Sequence, residues 1–282
     1  MVETLENKFS IVAFLDILGY EELIKKSHGR ESELFNDLVA TIRVSKMLTF
    51  ESSKGMFDHI DKDISNKLSI KQFSDNVYFS FDYDNQNDFK LGIFIISNIS
   101  SIYQRLMLAK GYYIRGGIAH GLNMMNEDLI FSTALIKAVK TEKETVYPRI
   151  ALDSELKEEF LLLKDEFISK LYIQDWAGNV FINPFNQISR TLELIEKLSP
   201  NDLEKVKEAL STQYAILNKL NDLPQFLFDD NLFKIFAYQQ ICNELVKYES
   251  ENKKVYEKYL WLKNFLCWED KKESDLTFKY IS

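Results

Sequence analysis

The chain has 282 residues, of which 46% are hydrophobic and 28% are charged. This composition predicts a globular protein of one large or two small domains with a substantial core. The net charge of −8, without a block of Lys and Arg, argues against a general nucleic-acid-binding surface. Two cysteines and three histidines lack metal-ligand spacing, so we expect neither a zinc site nor a disulfide framework. The polar start and short apolar runs predict a cytoplasmic protein with no membrane contact.

The first half of the chain predicts alternating strands and helices. Residues 8–18 form an unbroken apolar run typical of a strand buried on both faces. Residues 20–50 have the spacing of a long helix. The segment "LSIKQFSDNVYFSFDYD" predicts a hairpin, because two β-rich halves flank Ser74, Asp75 and Asn76. Later predictions are a helix over 88–110 ending at Gly111, strands "YYIRGGIAHG" and "EDLIFS", a helix "TALIKAVKTEKE", a strand "YPRIALD" and a hairpin over 168–185.

This order predicts an α+β fold, with helices covering a mostly antiparallel sheet. Beyond Pro200 the composition shifts to helix, and residues 233–267 form a second long helical pattern. We therefore expect one domain over residues 1–190 and a helical C-terminal extension over residues 191–282.

Asp16 interrupts the apolar stretch "SIVAFLDILGY". A buried carboxylate is costly unless it is protonated or paired with a cation, and a metal ion is an economical partner at a strand end. Asp75, at the hairpin tip, would lie on the same side of the sheet if the hairpin flanks this strand. Two such acids form a site for two divalent cations that transfer phosphoryl groups. Alternatively, Asp75 is a turn residue and Asp16 caps the following helix.

Three segments, "FLDILGY", "KQFSDNVYFSF" and "IRGGIAHG", resemble in order and spacing the signature of class III nucleotidyl cyclases. More closely, the chain is similar to the bacterial pyrimidine cyclases of Pycsar anti-phage defence. Those proteins have a Ser-Asp hairpin, Arg-Gly-Gly-Ile and a Pro-Arg-Ile strand, here residues 148–150. The resemblance covers residues 8–185 and implies a cyclase-like, ferredoxin-like palm domain.

The resemblance assigns roles to single residues. Asp16 and Asp75 match the metal-binding acids and the backbone carbonyl of Ile17 matches the third protein ligand, which implies two Mg²⁺ or Mn²⁺ ions per site. In such a site the ribose 3′-hydroxyl attacks the α-phosphorus and pyrophosphate leaves.

Further roles are implied for basic residues. Lys140 takes the place of the family's phosphate-contacting arginine, and Ile136 replaces its asparagine; a solvated helix lysine is the alternative for Lys140. Lys71 lies where related cyclases read the base, or is a surface lysine. Arg115 fixes the sheet or reaches phosphate. His120 is expected to be a structural histidine.

The function predicted from this resemblance is cyclisation of a pyrimidine triphosphate, with UTP favoured and CTP next, to a 3′,5′-cyclic nucleotide. The resemblance also implies a homodimer with shared active sites, and a separate effector protein that reads the product. Two alternatives stay open: a nucleotide-binding module that has lost activity, which Ile136 and Lys140 support, or another palm-type nucleotidyltransferase such as a dinucleotide synthase.

Overall fold

The protein is described by a computed structural model that covers residues 8–56, 64–185, 229–269 and 276–281. Its described strands form one nine-stranded sheet in the order β2-β3-β1-β4-β6-β8-β7-β9, with β5 paired to β4. Among these pairs β4–β6 is parallel and the others are antiparallel, so the α+β prediction is confirmed. The strands are β1 Lys8–Leu18, β2 Leu68–Phe73, β3 Asn76–Tyr83, β4 Tyr113–Met125, β5 Ile130–Ser132, β6 Ile150–Leu152, β7 Tyr172–Asp175, β8 Val180–Ile182 and β9 Phe278–Tyr280.

The predicted helices within the described residues occur in the predicted order, two long ones are divided in the structure, and the helices at Ile64–Lys67, Ser154–Leu163 and Glu166–Ser169 were not predicted. The predicted helix over 20–50 is broken near Gly29, whose φ of 82° is left-handed and ends the helical path. The pattern over 233–267 also forms two helices. The helices are α1 Tyr20–Lys26, α2 Glu31–Met56, α3 Ile64–Lys67, α4 Gln86–Ala109, α5 Thr133–Glu144, α6 Ser154–Leu163, α7 Glu166–Ser169, α8 Asp230–Tyr248 and α9 Lys253–Glu269.

Two sequence predictions lie outside the described residues. The helix expected from "SPNDLEKVKEALSTQYAILNKL" falls in residues 186–228, as does the domain boundary predicted between 190 and 191.

Strand β1 is central because β3 and β4 flank it on either side. Ile11, Ala13 and Leu15 lie in the larger core with α4, while Val12 belongs to a smaller cluster with Ala138 of α5. Burial on both faces explains why this strand shows no alternation of apolar and polar residues.

The length and composition of helix α4 would allow it to cross a membrane. This differs from the expectation that the apolar runs are too short to do so. Its most apolar window is 89% buried inside the protein, so α4 packs as the core helix of the sheet. Asn85 caps its start by accepting hydrogen bonds from the backbone N–H groups of Asn87 and Asp88.

The C-terminal helices join the same sheet through an aromatic cluster. Trp261 and Phe265 of α9 pack on Phe181 of β8 and on Phe278 of β9. Strand β9, which the sequence analysis did not predict, pairs with β7 and so extends the sheet with C-terminal residues.

A buried ion pair also ties α8 to α4. Arg105 Nη1 lies 2.7 Å from Asp230 Oδ1, and the two side chains are 4% and 1% exposed. Because Asp230→Ala leaves a buried guanidinium without this carboxylate, we expect the free energy of unfolding to fall by about 3–5 kcal/mol, measured by urea denaturation. The control Glu21→Ala removes an exposed pair with Lys25 and should change stability little. Equal unfolding midpoints for both variants would contradict the role of Asp230.

Candidate functional site

The end of β1 and the hairpin turn meet at Asp16 and Asp75. Asp16 is opposite Asn76 of β3, and Ser74 and Asp75 form the turn between β2 and β3. The backbone N–H of Ile17 donates to the carbonyl oxygen of Asp75 at 3.1 Å, which ties the strand end to the turn. The predicted hairpin is confirmed, and the structure brings these two acids to the same end of the sheet.

Asp16 has a partner that the sequence analysis did not assign to it. On the other side of β1, Arg115 of β4 lies opposite Asp16, and its Nη2 is 3.1 Å from Asp16 Oδ2. The same nitrogen contacts Glu142 Oε1 of α5. Helix α1 starts after Gly19 without a side-chain cap, so Asp16 does not cap it. The carboxylate is therefore paired with an arginine, a cation other than the predicted metal.

Helix α5 reaches this arginine because β4 has a glycine beneath it. A Cβ atom on Gly117 would lie 2.2 Å from the carbonyl oxygen of Ala138, closer than any real contact. The buried face of α5 consists of Ala134, Ala138 and Glu142, spaced four residues apart. Close approach of helix and strand thus delivers the Glu142 carboxylate to Arg115.

Burial raises the pKa of the Asp16 carboxyl, which Arg115 opposes and the negative charge of Asp75 reinforces. Burial also raises the pKa of Glu142, with Arg115 again opposing and Asp16 adding to the rise. The pKa of Lys258, on α9, is lowered by burial and by Arg115. The site is thus a partly desolvated group of carboxylates and basic side chains, in which burial and neighbouring charges shift the pKa values of Asp16, Glu142 and Lys258.

The oxygen atoms at this strand end are of the kinds that a divalent metal prefers. In an antiparallel strand the N–H and C=O of one residue point to the same side, so the Ile17 carbonyl, like its N–H, faces the Asp75 turn. Two carboxylates and a carbonyl are the ligands that Mg²⁺ and Mn²⁺ prefer. A bound cation would also lower the raised pKa of Asp16, in competition with Arg115.

The other two predicted residues lie apart from the acids within one chain. Lys71 is half-buried on β2, opposite Tyr78, and by strand alternation it shares the sheet face of Asp16. Lys140 is 76% exposed on α5, 3.8 Å from Glu144, on the side of the helix away from Glu142. The structure therefore leaves Lys140 pointing to solvent.

Two side chains of this site were missed, although each has a weak signal in the sequence. Glu142 continues the small-residue spacing of Ala134 and Ala138, which predicts a buried position for a charged residue. Lys258 precedes the buried Trp261 and Leu262 by three and four residues, so it lies at the edge of the apolar face of α9.

A second polar group lies farther along β4. The ligand atoms of His120, Glu155 and Glu159 lie within 4.8 Å of one another, the arrangement of a possible metal site within the described ranges. His120 is five residues from Arg115, roughly 17 Å along the strand, and on the opposite face of the sheet. The spacing of His and Cys along the chain does not predict this group, and His120 was expected to be a structural histidine.

Known proteins that resemble this chain were found by structure and not by sequence. No family model and no curated protein matches the chain. An adenylate/guanylate cyclase/hydrolase from Silicibacter pomeroyi is a structural match with 14% sequence identity and a TM-score of 0.35. The match covers 63% of this chain and 95% of that chain, and at this TM-score it carries no argument. The fold and site themselves define an α+β protein with an acidic and basic cluster at the end of its central strand.

Proposed function

We propose that this protein is a metal-dependent nucleotidyl cyclase of the class III type that acts on a pyrimidine nucleoside triphosphate. The observation that carries the proposal is the meeting of Asp16 and Asp75, joined through the hydrogen bond from Ile17 N–H to the Asp75 carbonyl. It matches the site that the motif resemblance implies. The products are a 3′,5′-cyclic nucleotide and pyrophosphate.

In this proposal Asp16, Asp75 and the carbonyl of Ile17 hold two Mg²⁺ or Mn²⁺ ions. The ions supply Lewis acidity toward the ribose 3′-hydroxyl and charge neutralisation at the triphosphate. With metal bound, Asp16 would serve as a ligand instead of the partner of Arg115, and the guanidinium, beside Glu142, would be available to a phosphate oxygen. Because nucleophile and electrophile belong to one substrate, the protein contributes orientation and charge rather than a covalent intermediate.

The exposed face of α5 supports a homodimer with shared sites. Lys140 points to solvent there, and Ile136, one turn earlier, is 70% exposed. Phe131 and Leu129, just before the helix, are 57% and 64% exposed. A second copy that covers these apolar residues would bring Lys140 to the triphosphate held by its partner's acids.

Lys71 is proposed to read the base, because it lies on the sheet face of Asp16, two strands away. An ammonium group donates to the O4 of uracil but cannot accept from the amine of cytosine, which favours UTP over CTP. We expect the native protein to turn over UTP fastest among the four ribonucleoside triphosphates. Lys71→Ala should lower the UTP to CTP rate ratio at least about tenfold, the cost of roughly one unpaired polar group. Rates are measured with Mn²⁺ by chromatography.

Lys90→Ala, on α4, is the matched control and should keep the native preference. Unchanged selectivity in Lys71→Ala would remove that residue as the base reader. A preference for ATP would overturn the pyrimidine assignment while leaving cyclase activity intact.

A nucleotide-binding module without turnover is the second candidate. The ion pair between Asp16 and Arg115 gives the acid a structural reason to be present, so its retention alone does not require catalysis. The presence of Ile136 where the resemblance implies an asparagine also favours a module without turnover. Saturable UTP binding by calorimetry, with no product formed under any metal condition, would establish this alternative.

The biological setting follows from the same resemblance. We propose that the product is a second messenger of anti-phage defence, read by a separate effector protein in the cytoplasm.

A further inference from the structure

We propose a second metal site, for a divalent transition metal such as zinc, formed by His120 of β4 with Glu155 and Glu159 of α6. It lies on the opposite sheet face from Asp16, and it does not depend on the cyclase proposal. Zinc accepts both imidazole nitrogen and carboxylate oxygen as ligands, and its open sites combine three protein ligands with a free position.

The distances suit one tetrahedral ion. His120 Nε2 lies 3.3 Å from Glu159 Oε1 and 3.7 Å from Glu155 Oε1. Two ligands that each lie about 2.1 Å from a tetrahedral zinc ion are themselves about 3.4 Å apart. The glutamates are one helical turn apart on α6, so both project from the same face toward the imidazole. An ion therefore fits with small side-chain adjustments.

The imidazole is oriented for metal binding. His120 is only 8% exposed, and its Nδ1 lies 3.1 Å from the hydroxyl oxygen of Tyr83. The ring of Phe89 packs edge-on against it, with centroids 5.6 Å apart. Within the described part of the chain Nε2 makes no hydrogen bond, although it points at the carboxylates. A metal ion held between Nε2 and the two carboxylates would give this buried atom a partner.

The ligands also have outer partners that fix them. Lys137 of α5 contacts Glu155 Oε2, which leaves Oε1 toward His120, and it donates to the backbone carbonyl of His120 at 3.2 Å. Its positive charge offsets one carboxylate, so the three ligands and Lys137 carry a net charge near −1. Zinc sites with two histidines and one glutamate have that same ligand charge.

The site has room for a further zinc ligand. A cleft lined by Tyr83, Asn85, Phe89, His120, Glu159 and Leu162 opens beside it. The side chains of Glu155 and Glu159 are 55% and 45% exposed, so water or an oxyanion can reach the ion. The bound metal would join α6 to the central part of β4 and present a Lewis acid to this cleft.

The test uses the full chain after chelator treatment, titrated with Zn²⁺ in competition with a chromophoric chelator. We expect the native protein to bind one zinc ion per chain at this site with an affinity more than about tenfold higher than that of Glu159→Gln. Glu158→Gln changes an exposed acid on the same helix and should bind as the native protein does.

A second measurement replaces zinc with Co²⁺ and records the visible d–d bands of a tetrahedral ion. These bands should disappear in His120→Ala and persist in Glu158→Gln. Equal zinc stoichiometry and affinity in native protein and Glu159→Gln would overturn the site, as would equal losses in Glu158→Gln and Glu159→Gln. Glu159→Gln replaces a half-exposed side chain and so remains informative if His120→Ala does not fold.

Discussion

Asp16→Ala and Asp75→Ala should each reduce nucleotide cyclisation to background. Each change removes a proposed ligand of both metal ions, whose transition-state stabilisation amounts to several kcal/mol. The expected loss in rate is therefore about a thousandfold or more. The measurement is product formation from UTP with Mn²⁺ under single-turnover and steady-state conditions.

The two variants differ in what else they disturb. Asp16→Ala also removes the carboxylate that pairs with Arg115, which then retains Glu142 as its acidic neighbour. Asp75 is in a turn and accepts a hydrogen bond from the Asn76 side chain, so its removal is the cleaner test. Asp128→Ala, in the exposed loop before β5, is the matched control and should keep native activity. Circular dichroism and urea unfolding check that each variant is folded; a folded Asp75→Ala that still makes product would refute the metal mechanism.

Mixing two inactive variants should restore activity if the site is shared between chains. Asp16→Ala lacks a metal ligand, and Lys140→Ala lacks the proposed phosphate contact, whose exposure on α5 makes it available to a partner. In a mixed dimer one site combines the intact acids of one chain with the intact lysine of the other. Random exchange of subunits yields mixed dimers in half of the population, each with one working site, so about a quarter of native activity should return.

The control for this experiment is a mixture of Asp16→Ala with Asp75→Ala. Both changes lie in the acidic half of the site, so no mixed dimer contains an intact site and no activity should return. Light scattering with nucleotide and metal gives the oligomeric state in parallel. A strict monomer, or an active protein whose Lys140→Ala variant retains native rates, would contradict a shared site.

The core of the fold could be predicted because local signals agree with tertiary structure there. Unbroken apolar residues gave β1, and turn chemistry at Ser74 and Asp75 gave the hairpin that lies beside it. The end of the helix near Gly111 was also predicted, because glycine commonly follows the last helical residues. In the structure this glycine has the left-handed φ of 79° that such a position requires.

Other elements depended on contacts that a single sequence does not display. Strand β9 has three residues, and it exists because β7 offers an edge that it can pair with. Helix α6 was not predicted, although its ten residues follow Asp153, which caps the helix by accepting hydrogen bonds from the backbone N–H groups of Glu155 and Leu156. The break near Gly29 was hidden by helical spacing on both sides.

Some residues of the candidate site could likewise be predicted from the sequence, and others could not. Asp16 and Asp75 could be named because each departs from its local context, one as an acid in an apolar strand and one at a hairpin tip. Glu142, Lys258 and the group around His120 look like ordinary surface charges along the chain. They acquire their surroundings from the approach of α5, α9 and α6 to the sheet, which involves residues far apart in sequence.

We propose that this chain converts a nucleoside triphosphate into a cyclic nucleotide at Asp16 and Asp75. The most direct test incubates the purified protein with UTP and Mn²⁺ and identifies both products by mass spectrometry, with Asp75→Ala in parallel. We expect equal amounts of 3′,5′-cyclic UMP and pyrophosphate from the native protein and neither product from the variant. Absence of cyclic nucleotide from all four ribonucleoside triphosphates, by a folded protein that binds them, would contradict it.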